Sequence, residues 1–431
     1  MTSVTARAPV LPASRLRGGL EVPSDKSIAH RALVVNALSG GPATVVMRSP
    51  GRDVLSTAAC LRALGVTVDR ATDGSSTRLT LTGTPSRDAD LDCSNSGTTM
   101  RLLAGAIAGL PLRVVLDGDA SLRSRPMERV AALLRAAGAD VTTTDGRAPM
   151  TVVGRRELSA VTHRLPVASA QLLGAASLAA LSAPGETRIA SPAVTRDHTE
   201  RMLAAADVPI RREGLVTTVD GPARPRPLSL TVPGDISAAA PWLVAAAVHP
   251  EAELHLAGVG LNPTRTALVD VLRRMGADVE AHLTDDSGPE PVGDLRARGG
   301  RPLQAVTIAG DEVAALIDEL PLLAIAMAAA DGTSELRDAG ELRVKESDRI
   351  ATTVAGLRAI GASVEELPDG WRVRSGQPRH ARIVTRSDHR VAIAFAVAAL
   401  ARVALAVELD DPDCVAVSYP DFWDDLAEIA S

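Results

Sequence analysis

Lysine is nearly absent from this 431-residue chain. Against 44 arginines there are two, Lys26 and Lys345. Aromatics are also few, two Phe, one Tyr and three Trp, so a core must be assembled from Ala, Leu, Val and Ile. Cys60, Cys93 and Cys414 are too few and too scattered for a disulfide framework or a metal site, and they read as buried, reduced thiols. The first residues, MTSVTARAPVLPASRLRGG, hold no continuous apolar run of the kind a signal peptide needs, which points to a cytoplasmic protein. One stretch, 391–409, is apolar enough to mimic a membrane span. Arg402 interrupts it, and it reads as a buried helix followed by a strand. A formal net charge of −6 argues against a nucleic-acid partner, while a local basic cleft for a small anion stays open. The apolar share of 46% excludes disorder.

What the chain does have is repetition. The stretch Ser24 to Gly40, SDKSIAHRALVVNALSG, opens on a polar cluster, runs into an apolar segment and stops at Gly40-Gly41-Pro42. This is the pattern of a capped helix with a glycine stop. The design returns near Asn95, Ser169, Asp235, Asp318 and Asp388, at intervals of 66 to 83 residues from Asp25 onward. In phase with it recurs the end of an amphipathic helix, a small residue at the bend and an alternating strand, as in LRALGVTVDR and LRRMGADVEAH; the last copy is cut short as FWDDLAEIAS. Six such units indicate an internal repeat. The second helix of each has one charged face and belongs at the surface. The first is apolar nearly all round and must be buried on every side. Six polar N-termini on six buried helices, if aligned, make a collective anion site. A 3+3 grouping predicts two domains, residues 20–230 and residues 1–19 with 231–431, with a hinge in the Pro-rich stretch 221–233.

The scarce residue types mark the polar ends. In a chain that has moved nearly every cation to Arg, a retained Lys indicates a need for a compact ammonium or for a proton donor, which Arg cannot supply. The other reading is two surface lysines retained by chance. Lys26 lies in the first helix opening and Lys345 in ELRVKESDRI. Asn95 and Gln171, among only three Asn and three Gln, sit in other openings, and Arg31, Arg101, Arg125, Arg196, Arg349 and Arg390 lie in or near them. Asp318 and Glu346 add carboxylates to this basic set. Asp318 by itself reads as a helix cap; beside several cations a carboxylate can instead exchange a proton with a ligand.

Ten motifs stand in order along the chain: PSDKSIAHRAL, NSGTTMRLLAG, the Arg-Pro of 125–126, ASAQ, TRDHTERML, PGDISAA, LIDE, RVKESDRI, SDHRVAIAF and SYPDF. With them, from about Leu16 to Leu426, the sequence resembles the 5-enolpyruvylshikimate-3-phosphate synthase family, the 3-phosphoshikimate 1-carboxyvinyltransferases. The resemblance implies an α/β fold of two domains, each of three βαβαββ units with buried parallel helices, the inside-out α/β barrel of enolpyruvyl transferases. It implies a monomer with two small-molecule substrates, shikimate 3-phosphate and phosphoenolpyruvate, no metal or organic cofactor, and no nucleic-acid or membrane partner. It also implies roles. Ser27, Arg31, Ser169 and Lys345 would hold shikimate 3-phosphate, with Arg196 on its phosphate. Lys26, Arg125, Gln171, Arg349 and Arg390 would grip phosphoenolpyruvate, beside Asn95 and Gly97. Asp318 would sit by the attacking hydroxyl, with Glu346 and Lys26 as proton carriers. Residues from both halves would take part, so such a site would have to close on its ligands.

Three positions depart from the common family pattern: Ala170 for a second Ser, Glu341 for Asn, and Val417 for a Lys that grips phosphoenolpyruvate. Two other readings remain. One is the sister transferase that acts on UDP-N-acetylglucosamine, but the loop Asp117 to Arg125 lacks the reactive Cys most of those enzymes carry. The other is a non-catalytic anion-binding protein, for which Asp318 and Glu346 would only repel the ligand. A paralogue acting on a related cyclic hydroxy acid is also compatible with the sequence.

Overall fold

The structure is a computed structural model that describes residues 8–430. Residues 1–7 and 431 lie outside that range, and with them part of the segment read as free of a signal peptide and the two ends of the expected second domain.

The helices follow the repeat. In the first copy α1 (Lys26–Ser39) is followed by α2 (Arg52–Ala63), and in the second α3 (Gly97–Ala108) by a short α4 (Ala120–Ser124) and α5 (Glu128–Ala136). The third holds α6 (Ala170–Ala180) and α7 (His198–Ala205), and the fourth α8 (Ile236–Val248) and α9 (Ala267–Arg274). The fifth has a short α10 (Glu312–Leu316), then α11 (Leu320–Ala329) and α12 (Arg349–Ile360); the sixth has α13 (His389–Leu400) and the shortened α14 (Phe422–Ile429). The long apolar stretch near the C-terminus is α13 plus the strand Ala406–Leu409. Among the described residues no helix is long and apolar enough to cross a membrane.

Caps explain where the inner helices begin. Asp25 accepts from the N–H groups of Ser27 and Ile28, Ser169 from Leu172, Asp235 from Ser237 and Asp388 from Arg390. At the other end of α1, Gly40 takes φ 76°, which a residue without Cβ adopts at no steric cost. Two anchors differ from the sequence reading. The cap of α3 is Ser96, one residue after Asn95, and its hydroxyl accepts from Thr99 N–H. Asp318 lies between α10 and α11, and the N-cap position of α11 is Glu319.

Each complete repeat builds a four-stranded sheet in which the outer pair on one side is parallel and the rest antiparallel. In the first, Leu230–Thr231 runs parallel to Gly40–Arg48, with Ser76–Gly83 and Thr67–Asp73 following antiparallel. The fourth borrows the N-terminal strand Leu16–Leu20, parallel to Ala252–Gly260. These two borrowed strands sort the chain into two compact units. One is Ser24–Pro233 with Asp286–Glu290; the other is the chain up to Pro23, Gly234–Asp285, and everything from Pro291 onward. The Pro-rich stretch 221–233 lies within the former, where its strand pairs with the first repeat.

Each unit encloses its own apolar core. The inner helices α1, α3, α6 and α8, α11, α13 are buried on every side after the first turn, as apolar helices must be. Small residues set their spacing. A Cβ on Gly105 of α3 would lie 2.3 Å from the carbonyl oxygen of Ala175 in α6, so backbone meets backbone there. The three cysteines are free thiols and buried.

Candidate active site

In the unit of residues 24–233 the first turns of α1, α3 and α6 touch one another. Arg31 is buried. It donates from Nε to Thr199 Oγ1 at 2.7 Å, from Nη1 to the Ser27 carbonyl at 3.0 Å and from Nη2 to the Ala170 carbonyl at 3.2 Å, tying α1 to the opening of α6. Gln171 donates to Thr98 Oγ1 at 2.9 Å and accepts from Arg101 Nη1 at 2.6 Å, tying α6 to the opening of α3. Their polar ends therefore face the same way, and each brings unsatisfied N–H groups and a partial positive charge.

Cations collect at this end. Burial pushes the Arg31 guanidinium down to about 10, helped by the charge of Arg196 and opposed by Glu200 and Asp25. Arg125 donates to Asn95 Oδ1 at 2.8 Å, and Asn95 donates onward to Asp119 at 2.9 Å. Gly97 lies under this group: a Cβ there would stand 2.7 Å from Arg101 Nη1 and 3.5 Å from Arg125 Nη1. Lys26, part-exposed, is 3.3 Å from Asp53 Oδ2. Burial favours a protonated Asp53, but the Lys26 charge, the nearby His30 ring and a hydrogen bond from the Val54 N–H outweigh it and hold the carboxyl well below the usual range. Of the residues expected here from the sequence, Lys26, Ser27, Arg31, Asn95, Gly97, Arg125, Ser169, Gln171 and Arg196 all lie on or beside these helix openings.

The other unit repeats the arrangement with carboxylates added. Ser237 at the start of α8 donates to Glu319 at the start of α11, and Arg390 in the first turn of α13 lies 3.9 Å from Glu319 and 4.0 Å from Asp318. Arg349, the first residue of α12, is 2% exposed and is encircled by acids. Its Nη2 is 2.6 Å from Glu346, its Nε 2.9 Å from Asp388, and its Nη1 3.6 Å from Asp318. Burial works against this cation, yet the three carboxylates hold its pKa above the usual value. Nη1 itself is buried with no hydrogen-bond partner and faces Asp318. Lys345 follows a 3₁₀ turn (Gly340–Val344). Burial lowers its pKa and Arg349 adds to this, against Asp318, Glu341 and Glu346. Asp318, Lys345, Glu346, Arg349 and Arg390 thus form one cluster. Val417 ends a 3₁₀ turn (Pro412–Val417) and brings no charge, and Glu341 is exposed.

Sequence reading missed several members. Asp53, His30 and Thr57 pair with groups tens of residues away, and nothing in RDVLST or in the apolar run around His30 marks them beyond an acid in a helix's first turn. Ser94 (φ 51°), Arg386 (φ 58°) and Ser387 (φ 55°) adopt left-handed backbone just ahead of Asn95 and Asp388. Such conformations are uncommon for non-glycine residues and gather at functional sites. Among the described residues no group of three or more His, Cys, Asp or Glu is placed to hold a metal ion.

Comparison with known proteins gives a consistent outcome. The family model for EPSP synthase (3-phosphoshikimate 1-carboxyvinyltransferase) matches residues 10–426. A 3-phosphoshikimate 1-carboxyvinyltransferase of Gloeobacter violaceus is 48% identical over 427 residues, covering 97% of this chain and 98% of its own. That of Herpetosiphon aurantiacus is 46% identical with the same coverage. Among solved structures, an EPSP synthase of Acinetobacter baumannii superposes with a TM-score of 0.87 at 36% identity over 98% of both chains. The enolpyruvyl transferase NikO of Streptomyces tendae shares the fold, at TM-score 0.76 and 19% identity, over 98% of this chain and 96% of its own.

Proposed function

Because this chain belongs to the EPSP synthase family and transfers the enolpyruvyl group of phosphoenolpyruvate to the 5-hydroxyl of shikimate 3-phosphate, releasing phosphate, we propose that the two polar clusters divide this work. The product feeds chorismate and aromatic amino acid biosynthesis. Both substrates are polyanions, and bringing them together requires several fixed cations to offset their repulsion. Ser27, Arg31, Ser169, Arg196 and Lys345 hold shikimate 3-phosphate. Lys26, Arg125, Gln171, Arg349 and Arg390, with Asn95 and Gly97, hold phosphoenolpyruvate.

The chemistry has two steps. The 5-hydroxyl oxygen adds to C2 of phosphoenolpyruvate, losing its proton, while C3 gains one and becomes a methyl group. Phosphate then leaves C2 as C3 gives up a proton and the double bond reforms. Asp318 takes the hydroxyl proton, and Glu346 with Lys26 serves C3 in both directions. The observation that carries this reading is Arg349, buried and encircled by Asp318, Glu346 and Asp388. A fixed guanidinium gathers these carboxylates into one place and orients them about itself.

The test is phosphate release with shikimate 3-phosphate or UDP-N-acetylglucosamine as acceptor, on the wild type and on Asp318→Asn and Glu346→Gln. Release with shikimate 3-phosphate alone, and a fall in kcat of about 10²-fold or more in each variant, is expected. Release with the nucleotide sugar, or variants of unchanged kcat, would contradict the reading. The same reading has the protein act as a cytoplasmic monomer, which light scattering on the eluted protein checks for oligomeric state. The net charge of −6 supports the absence of a nucleic-acid partner.

A further inference from the structure

Behind Lys26 lies a second layer that the reaction scheme does not use. Asp53 Oδ1 accepts from the Val54 N–H at 2.9 Å, which leaves Oδ2 to be shared. Lys26 Nζ is 3.3 Å from Oδ2 on one side. On the other, His30 Nε2 is 3.7 Å from the same atom. His30 stands one helical turn beyond Lys26, is 1% exposed, and its Nε2 has no hydrogen-bond partner. Its Nδ1 is 2.7 Å from Thr57 Oγ1; Thr57 is 2.7 Å from Thr99 Oγ1, and Thr99 is 2.7 Å from Oγ of Ser96, the cap of α3. This buried polar row joins α1, α2 and α3 through a core otherwise built of aliphatic residues. Valine or leucine would fill the same space without the cost of burying hydroxyls and an imidazole. The row therefore needs a use.

We propose that His30 is a positioning residue for Lys26, its Nε2 edge set toward the Asp53 carboxylate at 3.7 Å while Nδ1 is anchored on Thr57. The consequence is mechanical. When Lys26 turns its ammonium toward an anionic substrate, Oδ2 loses its cation. His30 keeps its Nε2 edge beside that oxygen, so Asp53 stays in place and Lys26 returns to the same position. The hydroxyl row carries the constraint on to Ser96, which sets the start of α3 beside Asn95 and Gly97. This inference rests on the role given to Lys26 above.

The experiment measures kcat and KM for both substrates on His30→Leu, His30→Gln, Thr57→Val and Lys26→Met, with thermal melts. Leucine fills the site without a polar group, whereas the glutamine amide sits near the place of Nε2. His30→Leu should lower kcat by about 10-fold or more, the scale of a misplaced catalytic group, with KM values held within about 2-fold. His30→Gln should recover kcat to within about 3-fold of wild type, and Thr57→Val should fall between. Equal losses in the Leu and Gln variants would mean packing alone and overturn the proposal. So would unchanged kcat in His30→Leu and Thr57→Val while Lys26→Met is inactive, a result that leaves the role of Lys26 standing. An active Lys26→Met would remove both. Should His30→Leu not fold, Thr57→Val, nearly isosteric with the native side chain, decides alone: wild-type kcat overturns, a loss supports.

Discussion

At the scale of single residues, the site is a set of charges held in place by other charges. Gly97 shows how little room remains, since a methyl group there would displace Arg101 and come into contact with Arg125. Those guanidinium ends can shift, so Gly97→Ala should fold with its melting temperature nearly unchanged. The displaced cations should raise the KM for phosphoenolpyruvate several-fold, which steady-state kinetics reads directly. Asp53 gives a pH test. Its folded-state pKa is depressed, so the stability it contributes is whole above its unfolded value, about 3.9, and is lost as pH falls below that. Asp53→Asn removes this term. Urea unfolding between about pH 5 and pH 3 should therefore show a shallower loss of stability in the variant than in wild type. Lys26 and Lys345 were legible in the sequence because lysine is so scarce that its retention carries information. Asp53 and His30 were not, because an acid in a first turn and a histidine in an apolar helix look ordinary until their partners on α1, α2 and α3 are known.

At the scale of elements, the repeat could be read because each helix opening combines a cap with an apolar run. Its details fell where two candidates were adjacent. Ser96 rather than Asn95 caps α3, and after the short α10 the N-cap position of α11 falls on Glu319 rather than Asp318. Asp235 was legible as a cap, but Arg265 was not legible as its partner. Arg265 Nη2, buried, lies 3.2 Å from Asp235 and also donates to Ser237 at 2.7 Å. Asp235→Ala thus removes a cap and weakens the compensation of a buried cation, and should cost about 2 kcal/mol or more, above the middle of the range for caps. Denaturant unfolding measures this; a loss under about 0.5 kcal/mol would contradict it. In the other unit, Gly105→Ala would press a methyl group onto the backbone of α6, which cannot move as a side chain can. A destabilisation of about 1–3 kcal/mol is expected from the same measurement.

At the scale of the molecule, the six aromatic side chains are unevenly shared. Trp242, Trp371, Phe395, Tyr419, Phe422 and Trp423 all belong to the unit that contains α8 to α14, and the unit of residues 24–233 has none. Trp242, Tyr419, Phe422 and Trp423 stack in one group there. Tryptophan fluorescence therefore reports one core, while far-ultraviolet circular dichroism reports both. Gly105→Ala should shift the dichroism transition in urea more than the fluorescence transition; equal shifts would mean that the two cores melt as one. The central claim, however, is that the polar helix openings carry enolpyruvyl transfer and that the two lysines persist for their chemistry. The most direct measurement is kcat and KM for both substrates on Lys26→Arg and Lys345→Arg, with melts to confirm folding. Arginine keeps the charge but is larger and cannot release a proton. The account predicts that Lys26→Arg lowers kcat by about 10²-fold or more, and that Lys345→Arg chiefly raises the KM for shikimate 3-phosphate. Near-wild-type values for both variants would contradict it.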